Sequence, residues 1–299
     1  MKSRNYKSSF TTITLACFLL SYKLIFAQNI AEDHIRENFK IFKDVSYDTD
    51  KEQNMDIYLS KETNSLTKKV TIIFIHGGGY YFGDKSQVER YIKPYLENGF
   101  NVVNMNYRLK RGIPLSTEDL TKALNYLQEN NSIYNLNLNR LVVSGFSAGA
   151  SMATLVGVTQ NDRKYPNKLN KDIKIIGVVN FSGPVDGWDV IEKVFIDSEE
   201  ESWKTIGNAF FVSDGYAPIE IINMYEPITY LDEEDPAIFL WYGGKDDQVP
   251  PKTFESFVAL LKNNNSKNIL IYDKEAGHSP TDESLKTTYK QIFTFIQNL

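Results

Sequence analysis

The chain has 299 residues, 42% of them hydrophobic and 13% aromatic, and carries a formal net charge of −5. That is enough apolar material for a substantial core, which excludes a disordered or fibrous protein. The mildly acidic balance supplies no basic stripe for a phosphate backbone, so nucleic acid is not an expected partner.

One large domain is the expectation, because α/β folds often reach this length as a single unit. At the start of the chain, Lys2, Arg4 and Lys7 precede an apolar stretch from Phe10 to Tyr22, and Ala27 stands just before Gln28. This is the arrangement of a secretory signal peptide, residues 1–27, whose removal near Ala27 leaves residues 28–299 as an exported domain. The alternative is a membrane anchor made by the same segment, although the run is short for a stable span. Cys17, the sole cysteine, lies inside it, so the processed chain has no disulfide and relies on its core.

Beyond this segment, short β-branched runs alternate with helix-period stretches, the pattern of an eight-stranded, mostly parallel sheet with helices on both faces. Strands at residues 39–47 and 55–59, joined by the turn-rich 48–51, are expected to form an antiparallel edge. The apolar run at 70–75 stops at His76-Gly77-Gly78-Gly79, as a buried strand ending in a glycine turn would. Further strands are expected at 101–106, 141–144, 173–181, 237–242 and 269–272, with helices at 117–129, from 147, at 253–262 and at 283–297. Residues 183–235 lose this regularity and mix Trp188, Phe195, Trp203, Phe210, Phe211, Tyr216, Tyr225 and Tyr230 with acidic residues. Lying after a strand's carboxyl end, where ligands enter such sheets, they read as a lid or small cap.

The chemistry concentrates in a few places. Gly145-Phe146-Ser147-Ala148-Gly149 sits between an apolar strand and a small-residue helix start. In that context the turn is so sharp that only small neighbours fit, and the serine hydroxyl projects from the sheet edge as a nucleophile. Acyl transfer also needs bare backbone N–H groups aimed at a developing oxyanion. Gly78 and Gly79, together with Ala148 at the helix start, would supply three. A serine needs a base. His34 lies near the processed N-terminus and His76 belongs to the glycine loop, which leaves His278, placed after the last strand. A carboxylate must orient that imidazole, and both Asp246 and Asp247 follow a strand in a suitable loop. Tyr80, Tyr81 and Phe82 would wall an apolar substrate pocket. No metal or organic cofactor is implied, since there is no ligand cluster or dinucleotide fingerprint.

With these residues in place, the sequence resembles the α/β-hydrolase superfamily. More narrowly, it resembles the bacterial esterases that include acetylxylan and feruloyl esterases, with hormone-sensitive-lipase-like and kynurenine-formamidase-like enzymes as relatives. The resemblance runs from about Val45 to the C-terminus. It rests on Met55-Asp56-Ile57-Tyr58-Leu59, Ile75 to Tyr80 with Gly83-Asp84-Lys85-Ser86, Asn106-Tyr107-Arg108-Leu109, the serine turn, Pro236, and Gly244 to Pro250. It implies that the acid is Asp246, from the family's D-x-x-V-P, and that Gly78 and Gly79 donate to the oxyanion. The expected activity is hydrolysis of a small-molecule or carbohydrate ester through an acyl-enzyme, acetylated or feruloylated carbohydrate being one possibility. An amidase, formamidase or peptidase is the rival within enzymes, and an inactive binding protein of the same fold the rival outside them. The segment 110–114 lacks the family's A-P-E, and residues 183–235 match no pattern, which leaves the substrate open.

Overall fold

A computed structural model describes residues 35–62, 70–213, 215–264 and 267–299. The expected leader, residues 1–27 with Cys17 and Ala27, lies outside the described residues, as does His34. Among the described residues, eight strands form one sheet in the order β1-β2-β4-β3-β5-β6-β7-β8. They are β1 Phe39–Ser46, β2 Asn54–Ser60, β3 Thr71–Ile75, β4 Asn101–Met105, β5 Leu141–Phe146, β6 Ile175–Phe181, β7 Ala237–Gly243 and β8 Ile269–Asp273. β1 runs antiparallel to β2, and β2 to β4, while all the other pairings are parallel.

The central strands are apolar without interruption because both faces are covered. In β5, Leu141 and Val143 enter the core on one side of the sheet and Val142 enters it on the other. Each such side chain contributes about 1.5–3 kcal/mol when taken fully out of water. The helix Ala148–Thr159 connects β5 to β6 and is buried along its whole length. It lies so close to β6 that a β-carbon on Gly157 would fall 2.5 Å from Val178 Cγ2. Any larger residue there would lift the helix off the sheet.

Three local features depart from the sequence reading. The helix Gly112–Glu129 begins five residues before Thr117, because Pro114 falls in its first turn, where a missing N–H costs nothing. A helix at Glu89–Glu97 was not among the expected elements; it contains Pro94 yet buries Tyr91, Ile92, Tyr95 and Leu96 along one face. That apolar stripe outweighs the one hydrogen bond the proline removes. Among the described residues, 183–235 contain three α-helices, Trp188–Ile196, Glu201–Phe210 and Pro218–Tyr225, and a short 3-10 helix, Pro227–Tyr230. Trp188, Ile191 and Phe195, spaced three and four apart, bury one face of the first. The C-terminal helix Asp282–Gln297 starts where Thr281 accepts the Ser284 N–H at 3.2 Å, an N-cap of ordinary kind. Among the described residues no helix is long and apolar enough to cross a membrane.

Candidate active site

Ser147 stands between β5 and the helix Ala148–Thr159 with φ 52° and ψ −123°, a conformation that side-chain-bearing residues rarely adopt. Its N–H is taken by the carbonyl of Phe181 on β6 at 2.8 Å, and its own carbonyl accepts from Ala150 and Ser151 at 2.9 and 3.0 Å. The strain is held by crowding on both sides. A β-carbon on Gly145 would fall 2.4 Å from the Gly149 carbonyl carbon, and one on Gly149 would fall 2.4 Å from the carbonyl oxygens of Ile75 and His76. The two glycines are therefore required by the backbone itself. Ala148 begins the helix, and the N–H groups of a first turn have no acceptor within their own helix.

The glycine loop after β3 lies directly over this turn. A β-carbon on Gly77 would sit 3.1 Å from Ser147 Cβ and 2.8 Å from the Phe146 ring. Gly78 and Gly79 both have positive φ, at 118° and 59°. The Gly78 carbonyl accepts from the N–H groups of Tyr81 and Phe82 at 3.0 and 3.1 Å, which closes the loop into a tight turn. Gly79 has no room for a side chain because Ile206 Cγ2 would be 2.5 Å from it. Beneath the loop, His76 is 2% exposed, stacks on Tyr107 with ring centroids 4.3 Å apart, and places Nδ1 2.7 Å from the Gly77 carbonyl oxygen. Burial pushes its pKa down to about 4, so at neutral pH it is an uncharged donor to that carbonyl.

His278, in the loop after β8, places Nδ1 2.8 Å from Asp246 Oδ2. The other carboxylate oxygen, Oδ1, accepts the N–H groups of Gln248 and Val249, both at 2.9 Å. The Asp246 side chain is 1% exposed, and these three bonds replace the water it has lost. Asp247, the other candidate, turns away into a separate groove lined by Trp203, Lys193 and Lys252. Of the two carboxylates that the loop sequence alone left open, Asp246 is the one paired with His278.

Ser147, Ala148, Gly78, Gly79 and His278 all line one cavity of about 270 Å³. Such an arrangement can deprotonate a hydroxyl and hold a developing negative charge against backbone donors. Apart from Gln248 and Ser279, the rest of its wall is mostly apolar, and residues 183–235 contribute Trp188, Ile191, Phe195, Ile206 and Phe210 to it. Tyr80 and Phe82 line it as expected. Tyr81 does not: it packs against the core and lies under the Lys110 ammonium, 4.9 Å from ring centroid to Nζ. Three consecutive aromatics in a tight turn point in different directions, so only two reach the cavity. Ile191 and Ile206 were not singled out in the sequence. The helical spacing of Trp188, Ile191 and Phe195 was the available signal, and the mixed composition around it hid the period. Among the described residues no group of three or more histidines, cysteines and carboxylates is placed to hold a metal ion.

Comparison with known proteins bears on the fold and the family. The chain is 22% identical over 237 residues to esterase LipQ of Mycobacterium tuberculosis, which covers 78% of this chain and 55% of that protein. It is 25% identical over 210 residues to endo-1,4-beta-xylanase B of Butyrivibrio fibrisolvens, covering 67% of this chain and 30% of the xylanase. The chain thus spans about half or less of the length of these curated relatives. Among solved structures, a truncated carbohydrate esterase from gut microbiota superposes with a TM-score of 0.68 at 23% identity, covering 87% of this chain and 97% of that one. Esterase B from Lactobacillus rhamnosis superposes with a TM-score of 0.67 at 17% identity, covering 96% of each chain. The BD-FAE family model matches residues 55–261, a stretch that runs from β2 through the serine turn to the helix after Asp246. On these grounds the chain has the α/β-hydrolase fold and belongs to the BD-FAE family.

Proposed function

We propose that this protein is a carboxylic ester hydrolase in which Ser147 is the nucleophile, His278 the general base and Asp246 the carboxylate that orients the imidazole. The observation that carries the reading is the convergence of a strained serine turn, a paired His278 and Asp246, and two positive-φ glycines on one cavity. Asp246 accepts from Nδ1, which leaves Nε2 unprotonated to take the Ser147 hydroxyl proton as the oxygen attacks the ester carbonyl. The carbonyl oxygen becomes an oxyanion facing the N–H groups of Gly78, Gly79 and Ala148. Collapse of this intermediate breaks the bond to the alcohol, which leaves with the proton from His278. Water, deprotonated by the same imidazole, then releases the acid and restores the serine.

The carbohydrate esterase among the structural neighbours and the xylanase among the relatives favour an acetyl or feruloyl group on a carbohydrate as substrate. The aromatic wall built from Trp188, Phe195 and Phe210 suits an acyl group with apolar surface. The processed form is proposed to be exported, on the charged and apolar start of the chain. The deciding experiment is labelling with a fluorophosphonate, followed by peptide mapping and turnover of acetyl, feruloyl, longer acyl and formamide substrates side by side. Label on Ser147 with ester turnover above amide turnover is the expected result. Label elsewhere, or faster amide cleavage, would overturn the proposal.

A further inference from the structure

The helix that the sequence concealed, Glu89–Glu97, carries in its first turn two adjacent residues, Arg90 and Tyr91, that touch both halves of the site. Arg90 Nη2 donates to the Pro280 carbonyl at 2.7 Å, two residues after His278. The same nitrogen lies 3.0 Å from the Asp282 carboxylate at the start of the C-terminal helix. Tyr91, 4% exposed, stacks on Phe146 with centroids 5.2 Å apart and planes 22° apart. Phe146 immediately precedes Ser147, and its ring lies 5.0 Å from the imidazole of His278. The Tyr91 carbonyl in turn accepts the hydroxyl of Tyr289 from the C-terminal helix. Two adjacent side chains therefore hold the backbone beside the base and the aromatic ring on which both the base and the serine turn rest.

The base's loop needs such a support. On its other side it is fixed by Lys245 N–H donating to the Ala276 carbonyl at 2.8 Å, and by close packing of Gly277 on Gly243. Both contacts lie before His278 in the chain. Those made by Arg90 follow it, so the imidazole is held between two anchored points. An exposed arginine–carboxylate pair contributes little to global stability, whereas a displacement of about 1 Å in a reacting group can lower turnover about a hundredfold.

We propose that Arg90 and Tyr91 are positioning residues, which keep the His278 imidazole in register with Ser147 by fixing Pro280 and Phe146. The inference rests on the assignment of Ser147 and His278 made above. Its test compares wild type, Arg90→Met and Arg90→Lys for kcat, KM, the rate of Ser147 labelling by a fluorophosphonate, and melting temperature. Arg90→Met is expected to lower kcat and the labelling rate together by roughly tenfold to a hundredfold, with KM and melting temperature close to wild type. Arg90→Lys, which can still donate one bond to the Pro280 carbonyl, should recover part of the loss. Tyr91→Leu, which keeps an apolar side chain but removes the stacked ring, should also lower kcat more than it raises KM. An Arg90→Met enzyme with kcat and labelling within twofold of wild type would overturn the proposal. So would a loss that follows the folded fraction and is not eased by lysine. Wild-type protein that resists the label altogether would instead overturn the assignment of the site on which the proposal stands.

Discussion

Asp246 and Asp247 are neighbours in sequence but face different surroundings: Asp246 meets His278 Nδ1 at 2.8 Å, while Asp247 borders a groove beside Trp203 and Lys252. Replacing each by asparagine separates orientation of the imidazole from general charge. Asp246→Asn keeps an acceptor for the Gln248 and Val249 amides yet presents an amide to Nδ1, so the wrong tautomer is favoured. Turnover should fall by about four orders of magnitude. Asp247→Asn should change it by less than about threefold. Steady-state ester hydrolysis checks both, and a damaging Asp247→Asn beside a silent Asp246→Asn would reverse the assignment.

Ser147→Ala and His278→Ala should not be additive. Either change removes the covalent route, so each should lower turnover by about a millionfold and the double variant should be barely worse. Single-turnover assays on protein checked by circular dichroism would show this. A folded Ser147→Ala enzyme near wild-type turnover would refute the mechanism.

The backbone at Ser147 separates stability from activity. Alanine keeps a β-carbon at φ 52°, whereas glycine adopts positive φ without steric cost. Both variants lose turnover, but Ser147→Gly should be the more stable of the two by about 1 kcal/mol. Urea unfolding of the pair decides the point. Equal or lower stability for glycine would mean that the turn stores no strain.

Gly149 offers the opposite case. Its added β-carbon would meet two backbone oxygens, those of Ile75 and His76, at 2.4 Å, and neither can rotate away. Gly149→Ala should cost about 3 kcal/mol or more and depress turnover, because His76 carries the glycine loop. Gly215→Ala meets nothing within 4 Å of the added atom but sits at φ 104°, so it should cost backbone strain alone and leave turnover as it is.

Stability should fall with acid partly through His76. Its pKa drops from 6.5 to about 4 in the folded chain because of burial, so between those pH values the unfolded chain binds the proton and the folded one does not. The stabilisation is complete above about pH 6.5 and declines as pH falls toward 4, by on the order of 3 kcal/mol. Asp235 works in the opposite sense. Burial and the neighbouring Asp232 charge push it up to about 7, so its contribution is complete below about pH 4 and is lost as pH rises through 7. Urea unfolding at pH 5 and 7.5 should show, as pH rises, a smaller gain or larger loss of stability than wild type in His76→Asn, which can still donate to Gly77, and a larger gain than wild type in Asp235→Asn. Identical slopes in all three proteins would refute both assignments.

The parts of the fold that were legible in sequence are those where one physical demand dominates. β5 reads as a strand because Leu141, Val142 and Val143 are all buried, and the serine turn reads as such because Gly145 and Gly149 admit nothing larger. Elimination among the histidines led to His278, which the fold brings beside Asp246. What escaped were segments serving two demands at once. Glu89–Glu97 carries Pro94 within an otherwise amphipathic face. Residues 183–235 must cover the sheet edge with one surface and line a cavity with another, which blurs any single period. Side-chain direction within the turn of Tyr80, Tyr81 and Phe82 depends on positive φ at Gly79 and Tyr80, and no repeat in the sequence encodes that.

β8, which leads into His278, is an outer strand paired, among the described residues, only with β7, and Leu270 and Tyr272 on it are 39% and 41% exposed. Ser147 by contrast follows β5, hydrogen-bonded on both sides deep in the sheet. Strands of such unequal protection open at unequal free energies. Amide hydrogens in β8 should therefore exchange faster than those in β5. In mild denaturant a fraction of molecules would have a detached base on an otherwise folded body, so turnover would fade while ellipticity still reports a native protein. On the proposed reaction, enzymatic competence would be a property of the molecule's fringe as much as of its centre.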